Sequence, residues 1–273
     1  MIEGLFLENW GAFPPSRWQQ WLIEQSNRHQ KGIWPSLCRR LVSFRLRHPL
    51  DVVALGAKLR LYPVGNLCEK RVLFTEADFD PGELEQLAKR IHPGFKFVDI
   101  GANIGLYSLF VAAQAGPKAK ILAVEPQPQI KQRLKFNLSN NQPHQISHVD
   151  CAVADKKGMA RMGISRRNRG ASGFALRSGK TPDDEFVVQT RALAELLESF
   201  GMTGADALKM DIEGAEELVL PRFFADTKRA DLPKMLLLEN NSGWKIDCIA
   251  LAEEHGYTRT LTTKRNVVLE QDL

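Results

Sequence analysis

The chain has 273 residues, of which 44% are apolar and 25% charged, so it is expected to fold around a sizeable core. No apolar run approaches the ~20 residues that a membrane-spanning helix needs, and the basic-then-apolar order of a secretory signal is missing from the N-terminus. The net charge is +5.

Residues 1–57 differ in composition from the rest. The first 60 residues hold nine Lys/Arg against four Asp/Glu, which accounts for the whole charge excess, and four of the five tryptophans. We predict a basic, mostly helical segment at 1–57 and a larger domain at 58–273. Because Trp18, Trp21 and Leu22 share one helical face, packing against the larger domain is favoured. A dimer contact, a peripheral membrane surface and a nucleic-acid contact stay open for this segment.

Four scattered cysteines, Cys38, Cys68, Cys151 and Cys248, form no C-x-x-C pair. They indicate neither a zinc site nor a disulfide framework. Reduced thiols and a cytoplasmic location are therefore expected.

Two short strands, Lys58–Pro63 and Arg71–Thr75, are predicted around a turn at Gly65-Asn66. Residues Pro81–Ile91 are predicted to be helical, since Pro81 and two glutamates come early and Lys89 and Arg90 come late, as the helix dipole favours.

Strands and helices then alternate. Predicted strands are Lys96–Ile100, Lys120–Val124, Ile146–Val153, Phe186–Thr190, Ala207–Met210 and Lys234–Leu238. Predicted helices are Gly105–Gln114, Gln129–Asn140, Ala192–Phe200, a helix from Gly214, and Trp244–His255. A polar, arginine-rich stretch at Asp155–Asp184 is predicted to be a long loop, and Tyr257–Leu261 with Asn266–Leu269 a closing hairpin. This order predicts an α/β fold with a doubly wound, Rossmann-like sheet and a terminal antiparallel hairpin.

A glycine loop follows the first strand of this series, in FVDIGANIG at residues 97–105. The dinucleotide fingerprint G-x-G-x-x-G would need glycines at 103 and 106, where Asn103 and Leu106 stand. The loop fits D-x-G-x-x-x-G better. Asp99 would repel a pyrophosphate but suits a ligand that carries an ammonium and a sulfonium group.

The next strand ends at Glu125. In doubly wound folds an acidic residue at this place accepts hydrogen bonds from ribose hydroxyls. Both motifs together predict a nucleoside-type cofactor at this edge of the sheet.

Three motifs occur in this order: FVDIGANIGLYSL at 97–109, Val124-Glu125-Pro126 and LKMDIEGAE at 208–216. A fourth motif is LLLE at 236–239. Through these motifs the sequence resembles the FkbM-type family of S-adenosylmethionine-dependent methyltransferases. The similarity runs from about residue 60 to the C-terminus. The resemblance implies a class I methyltransferase that methylates hydroxyl oxygens of sugars, glycans or natural products. It also implies that Gly101, Asn103 and Gly105 line the methionine and ribose portion of the cofactor, that Glu125 holds the ribose, and that Ala152, Val153 and Asp155 border the adenine.

Two further carboxylates end strands, Asp211 and Glu239, the latter followed by Asn240. Ligands of open α/β sheets bind beyond the carboxyl ends of the strands, so these residues are expected to face the transferred methyl group and the acceptor. One of them could act as a general base. Alternatively, the three could hold Mg²⁺, which lowers the pKa of a bound hydroxyl. Lys209, inside its strand, is expected to pair with a carboxylate.

Two other functions stay open. A nucleic-acid or protein methyltransferase could use the basic N-terminal segment, but residues 61–273 carry no net charge and lack an N-P-P-Y-type motif, which argues against nucleic acid. A non-catalytic partner protein could keep only the fold. A small-molecule or glycan acceptor is the favoured partner, and a homo-oligomer is compatible with the sequence.

Overall fold

The computed structural model describes residues 7–271 except 30, 45, 47, 142–144, 165–171 and 175–183. Within those residues, no helix is both long and apolar enough to cross a membrane.

The chain begins with a helical hairpin of α1 (Arg17–His29) and α2 (Ile33–Phe44). Leu22, Cys38 and Val42 face the interior and join the same core cluster as the central sheet. The favoured packing of this segment against the larger domain therefore involves Leu22 but not the two tryptophans expected on the same face, because Trp18 and Trp21 are 46% and 51% exposed. Leu22 lies on the inner side of α1, and the tryptophans lie on the outer side.

An antiparallel hairpin of β1 (Leu50–Ala54) and β2 (Ala57–Leu61) follows. Its turn places Leu55 and Gly56 at positive φ, the geometry that suits a two-residue hairpin loop. The predicted boundary between residues 57 and 58 falls inside this hairpin, and the division into two folding units stays a prediction.

A helix, α3 (Leu67–Phe74), stands where a strand was predicted at Arg71–Thr75. That prediction was wrong because the sequence contains a helix start: the Asn66 side chain accepts from Glu69 N, and Asn66 Nδ2 donates to Glu69 Oε1 at 2.8 Å. This reciprocal pair resembles a capping box. Buried Glu69 is further paired with Arg133.

Strands and helices alternate from residue 81 onward. In chain order they are α4 (Pro81–Arg90), β3 (Lys96–Ile100), α5 (Leu106–Ala115), β4 (Lys120–Val124), α6 (Pro128–Asn140), β5 (Ile146–Val149), β6 (Ala152–Ala154), β7 (Gly158–Ile164), β8 (Ser172–Phe174), β9 (Asp184–Ala192), α7 (Leu193–Ser199), β10 (Ala207–Met210), α8 (Glu216–Asp226), β11 (Met235–Glu239), α9 (Cys248–Glu254), β12 (Tyr257–Thr262) and β13 (Asn266–Gln271).

The central sheet has the strand order β12-β13-β11-β10-β3-β4-β5. Successive strand residues alternate between its two faces, so that Phe97 joins the core under α4, α5 and α6, and Val98 joins the core under α7, α8 and α9. β3, β4, β5, β10 and β11 are mutually parallel, and β13 pairs antiparallel with β11 and β12. The predicted doubly wound, Rossmann-like fold with a terminal hairpin is confirmed.

A second, four-stranded sheet has the order β6-β9-β7-β8. Two predictions were therefore wrong. The single strand expected at Ile146–Val153 is two strands in different sheets, because the chain leaves β5 at Asp150-Cys151. The stretch Asp155–Asp184, expected to be a loop, contains β7 and β8, which pair with each other, and β7 also pairs with β9. The arginines at positions 166, 167, 169 and 177 of this stretch lie outside the described residues.

Candidate functional site

A cavity of about 450 Å³ opens at the carboxyl ends of β3, β4, β10 and β11, the edge of the sheet where ligands of this architecture bind. Seven predicted site residues line it: Gly101, Asn103, Glu125, Ala152, Asp211, Glu239 and Asn240. Four others do not line it: Asp99, Gly105, Val153 and Asp155. The cavity thus brings together the loop after β3 and the ends of three neighbouring strands.

The glycine loop packs against the end of β10. Gly101 has φ +76°, and a Cβ placed on it would lie 2.0 Å from the carbonyl oxygen of Asp211, so only glycine fits there. Gly105 serves the packing of α5 on α6, because a Cβ on it would lie 2.7 Å from a methyl carbon of Leu134. The first glycine therefore shapes the cavity wall, and the second supports it from behind.

Glu125 lies at the floor of the cavity and is 6% exposed. Its carboxylate accepts from Asn103 N at 3.0 Å and from Gln127 N at 2.9 Å. A carboxylate has about four acceptor positions, so it can still accept bonds from ligand hydroxyls. Burial raises the pKa of Glu125 to about 7, although the two amide donors work against that rise.

Asp99 lies buried behind the cavity. It accepts from Ser108 Oγ at 2.7 Å, and its carboxylate is 3.9 Å from Lys209 Nζ. Burial raises the pKa of Asp99 while the charge of Lys209 opposes the rise. Lys209 also lies 3.4 Å from Asp211, so the pairing predicted for this lysine is confirmed.

The cavity wall at the ends of β10 and β11 is acidic. Glu239, at the end of β11, accepts from Asn241 Nδ2 at 3.2 Å. Burial and then the neighbouring carboxylate of Asp211 raise the pKa of Glu239 to about 7, and the same two causes raise that of Glu213 to about 7. Glu213 also has φ +55°, a left-handed conformation that few non-glycine residues adopt. A carboxyl group with a pKa near neutrality is suited to general base catalysis.

Asn240 fixes the turn between β12 and β13 at the cavity mouth. Its backbone N donates to Arg265 O at 2.5 Å, and its Nδ2 donates to Thr263 O at 3.0 Å. The side-chain amide is thus already engaged by protein groups, and Asn240 acts here as a structural support of the cavity rim.

Sequence reasoning missed one side of the cavity, which α3 and the following loop supply. Tyr107 donates from its hydroxyl to Asp80 Oδ2 at 3.1 Å, and Asp80 Oδ1 pairs with Arg71 at 2.8 Å. Leu67, Cys68, Arg71, Phe79, Asp80 and Tyr107 all line the cavity. The N-x-x-E pattern at Asn66–Glu69 is the signal that would have revealed α3.

No group of three or more His, Cys, Asp or Glu side chains in the described part of the chain is arranged to hold a metal ion. Around Asp211 the structure instead supplies the ammonium group of Lys209 as a cation.

A model of the FkbM methyltransferase domain matches residues 99–261, the segment that carries the glycine loop, Glu125 and both acidic strand ends. The chain belongs to the FkbM methyltransferase family. It is similar to the methyltransferase sdnD of Sordaria araneosa, with 28% identity over 60% of this chain and 73% of the relative. It is also similar to the 31-O-demethyl-FK506 methyltransferase FkbM of Streptomyces tacrolimicus, with 27% identity over 67% of this chain and 76% of the relative.

Solved structures similar to this FkbM-family chain include the methyltransferase FkbM from Methylobacillus flagellatus, at 17% identity and a TM-score of 0.46, over 66% of this chain and 44% of that one. A precorrin-6y C5,15-methyltransferase from Geobacter metallireducens matches at 14% identity and a TM-score of 0.48, over 78% of this chain and 100% of that one. From its family, this chain is an S-adenosylmethionine-dependent methyltransferase.

Proposed function

We propose that this FkbM-family enzyme transfers a methyl group from S-adenosylmethionine to a hydroxyl oxygen of a small-molecule acceptor of the sugar, glycan or natural-product type. The observation that carries the proposal is the pair of carboxylates at the ends of β10 and β11, which line one cavity with the glycine loop. The name of the relative FkbM describes an O-methyltransferase of a natural product, which supports the same acceptor class.

In this proposal the cofactor occupies the side of the cavity formed by β3 and β4. The loop of Gly101 and Asn103 approaches its methionine portion, Glu125 accepts from the ribose hydroxyls, and Ala152 borders the adenine. The four other predicted residues support the cavity without lining it. Asp99 pairs with Lys209, and Gly105 allows α5 to pack on α6. Val153 and Asp155 belong to the segment that positions Ala152.

Replacing Glu125 by Ala is expected to weaken binding of S-adenosylhomocysteine by about 1.5–3 kcal/mol, the scale of hydrogen bonds to a charged group. Calorimetric titration measures this directly. Glu195→Ala is the matched control, because Glu195 is an exposed carboxylate that does not line the cavity, and its affinity should stay within about two-fold of the wild type. Equal weakening by both variants would contradict the assignment of Glu125.

Methyl transfer is an in-line displacement. The acceptor oxygen forms a bond to the methyl carbon while the bond from that carbon to sulfur breaks, which releases S-adenosylhomocysteine. Glu239 takes the hydroxyl proton, since its pKa of about 7 leaves about half of the groups ionised at neutral pH and more of them above it. Asp211, held by Lys209, orients the acceptor. Positioning of this kind can supply ~7–11 kcal/mol of the barrier.

The mechanism uses no metal ion, and a chelator tests that point against the alternative of a Mg²⁺ site formed by Asp211, Glu239 and Asn240. We expect turnover to be unchanged by EDTA, because Lys209 already compensates the charge of Asp211. Loss of turnover with EDTA and its recovery with Mg²⁺ or Mn²⁺ would show that the site binds a metal.

Transfer of a labelled methyl group to panels of sugars, hydroxylated natural products, RNA, DNA and protein tests the acceptor class. Label in the sugar or natural-product fraction, at an ether carbon, is the expected result. Label in nucleic acid or protein would overturn the proposed acceptor, and label in no fraction would favour a non-catalytic protein.

A further inference from the structure

The outer side of the N-terminal helical hairpin exposes an apolar surface, which we call the α1–α2 face. Its residues are Trp18, Trp21, Ile33, Trp34, Leu37, Leu41 and Phe44. Trp21 and Trp34 meet edge to face at 6.1 Å between ring centroids, so the two helices form one continuous surface. Ile33 is 90% and Phe44 83% exposed. A contiguous apolar surface of this kind marks an interaction site.

The same region is strongly basic. Between Glu24 and Asp51 the sequence contains six Lys/Arg and no Asp or Glu. The whole net charge of the chain comes from its first 60 residues, and within them Arg39 and Arg40 lie on α2. An apolar face with tryptophans and flanking basic residues is the composition of helices that lie in a membrane interface.

A recess beside this face is suited to a phosphate group. It is lined by Ser36, Arg39, Arg40, Ser43, Phe44 and Lys70. Three cationic side chains, those of Arg39, Arg40 and Lys70, therefore line the recess, and buried Ser43 Oγ beside them has no hydrogen-bond partner among the described residues. Phe44 at its edge connects the recess with the apolar face.

We propose that the α1–α2 face binds the surface of a bilayer that contains anionic phospholipids, with a lipid phosphate group in the basic recess. The tryptophans and aliphatic side chains would enter the headgroup region, and the basic side chains would pair with anionic headgroups. Helix α3 contributes Lys70 to the recess and Cys68 and Arg71 to the cavity. A bilayer on this face would therefore lie one helix away from the cavity.

The charge favours a lipid surface over a second copy of this chain. A two-fold contact sets the same patch against itself, which would bring the arginines of α2 close to their own copies without an acidic partner. The aliphatic side chains Ile33, Leu37 and Leu41 also favour lipid over RNA, since nucleic-acid surfaces depend on aromatic stacking.

Co-sedimentation of the full chain with vesicles tests the proposal. We compare phosphatidylcholine vesicles with vesicles that also contain phosphatidylglycerol, at physiological ionic strength. The wild type should pellet only with the anionic vesicles, and added salt should reduce binding. Arg40→Gln with Lys70→Gln should lower partitioning about 25-fold, since each basic residue near the surface contributes roughly five-fold. Ile33→Ser with Phe44→Ser should lower it by more than about 10-fold.

The matched control is Met159→Ser with Val187→Ser, which removes two exposed apolar side chains from the other sheet and should leave partitioning unchanged. All variants should keep the wild-type melting temperature because every substituted side chain is largely exposed. Three results would overturn the proposal: no pelleting of the wild type with anionic vesicles, equal loss in the control, or a dimer in light scattering that Ile33→Ser with Phe44→Ser dissociates. RNA binding that the same variants abolish, without vesicle binding, would also overturn it.

Discussion

Replacing Glu239 by Gln is expected to lower kcat by about 10²–10⁴-fold, the usual contribution of a general base, while the affinity for S-adenosylhomocysteine stays close to that of the wild type. Glutamine keeps the size of the side chain and its hydrogen bond with Asn241 but cannot take a proton. For the wild type, kcat should rise with pH through about 7, because the base must be ionised and the pKa of Glu239 is about 7. The variant should lack this rise.

Glu213→Gln is the matched control. Glu213 lines the same cavity and also has a pKa of about 7, so this substitution removes a similar charge without removing the proposed base. A loss of less than about 10-fold is expected there. Equal losses in both variants would show that the total charge of the cavity matters and that Glu239 is not the base.

Stability provides a second readout for Glu239→Gln. The pKa of Glu239 is raised in the folded state, so its contribution to the free energy of unfolding is fully present below pH ~4.5, the unfolded value. That contribution is lost as the pH rises through about 7. The melting temperature of the variant relative to the wild type should therefore increase from pH 5 to pH 8. Burying this carboxylate thus costs stability at the pH where it serves the reaction.

Replacing Arg60 by Met is expected to lower the free energy of unfolding by about 3–5 kcal/mol, the cost of removing one partner of a buried ion pair. Arg60 Nε lies 2.7 Å from Asp51 Oδ1, and the two side chains are 0% and 1% exposed. The guanidinium also donates to the carbonyls of Glu8 and Asn9, at 2.9 and 2.7 Å. It therefore ties the start of the chain to the β1–β2 hairpin.

Urea unfolding measures the effect, and Arg259→Met is the matched control. Arg259 pairs with Glu253 at the surface, where such pairs contribute about 0–1 kcal/mol. A loss below about 1 kcal/mol for Arg60→Met would mean that Asp51 is compensated by its bonds from the amides of Gly11 and Phe13 alone.

The central sheet could be predicted from the sequence because its pattern is local. β3, β4 and β10 have the predicted bounds, since each is a short apolar run whose residues are all or nearly all buried. The second sheet could not be predicted in this way. β7 has two glycines among its seven residues and is exposed over much of its length, and because glycine is depleted in strands, its sequence gives only a weak strand signal.

From the sequence, only the cavity residues that stand at the ends of strands could be predicted. Glu125, Asp211 and Glu239 follow apolar strands, and parallel strands bring their carboxyl ends to one edge. Arg71 and Asp80 reach the cavity through tertiary packing of α3 and the following loop, which no spacing in the sequence specifies. The environment of Asp99 could not be predicted either, although its position in the motif is clear. Its pairing with Lys209 and its separation from the cavity depend on how two neighbouring strands align.

Calorimetric titration of the full chain with S-adenosylhomocysteine and, separately, with NAD tests the cofactor assignment most directly. The D-x-G-x-x-x-G loop, the position of Glu125 at the cavity floor and the family predict one site per chain for S-adenosylhomocysteine and no heat of binding for NAD. Binding of NAD at that site, or no binding of S-adenosylhomocysteine by the folded wild type, would contradict the assignment.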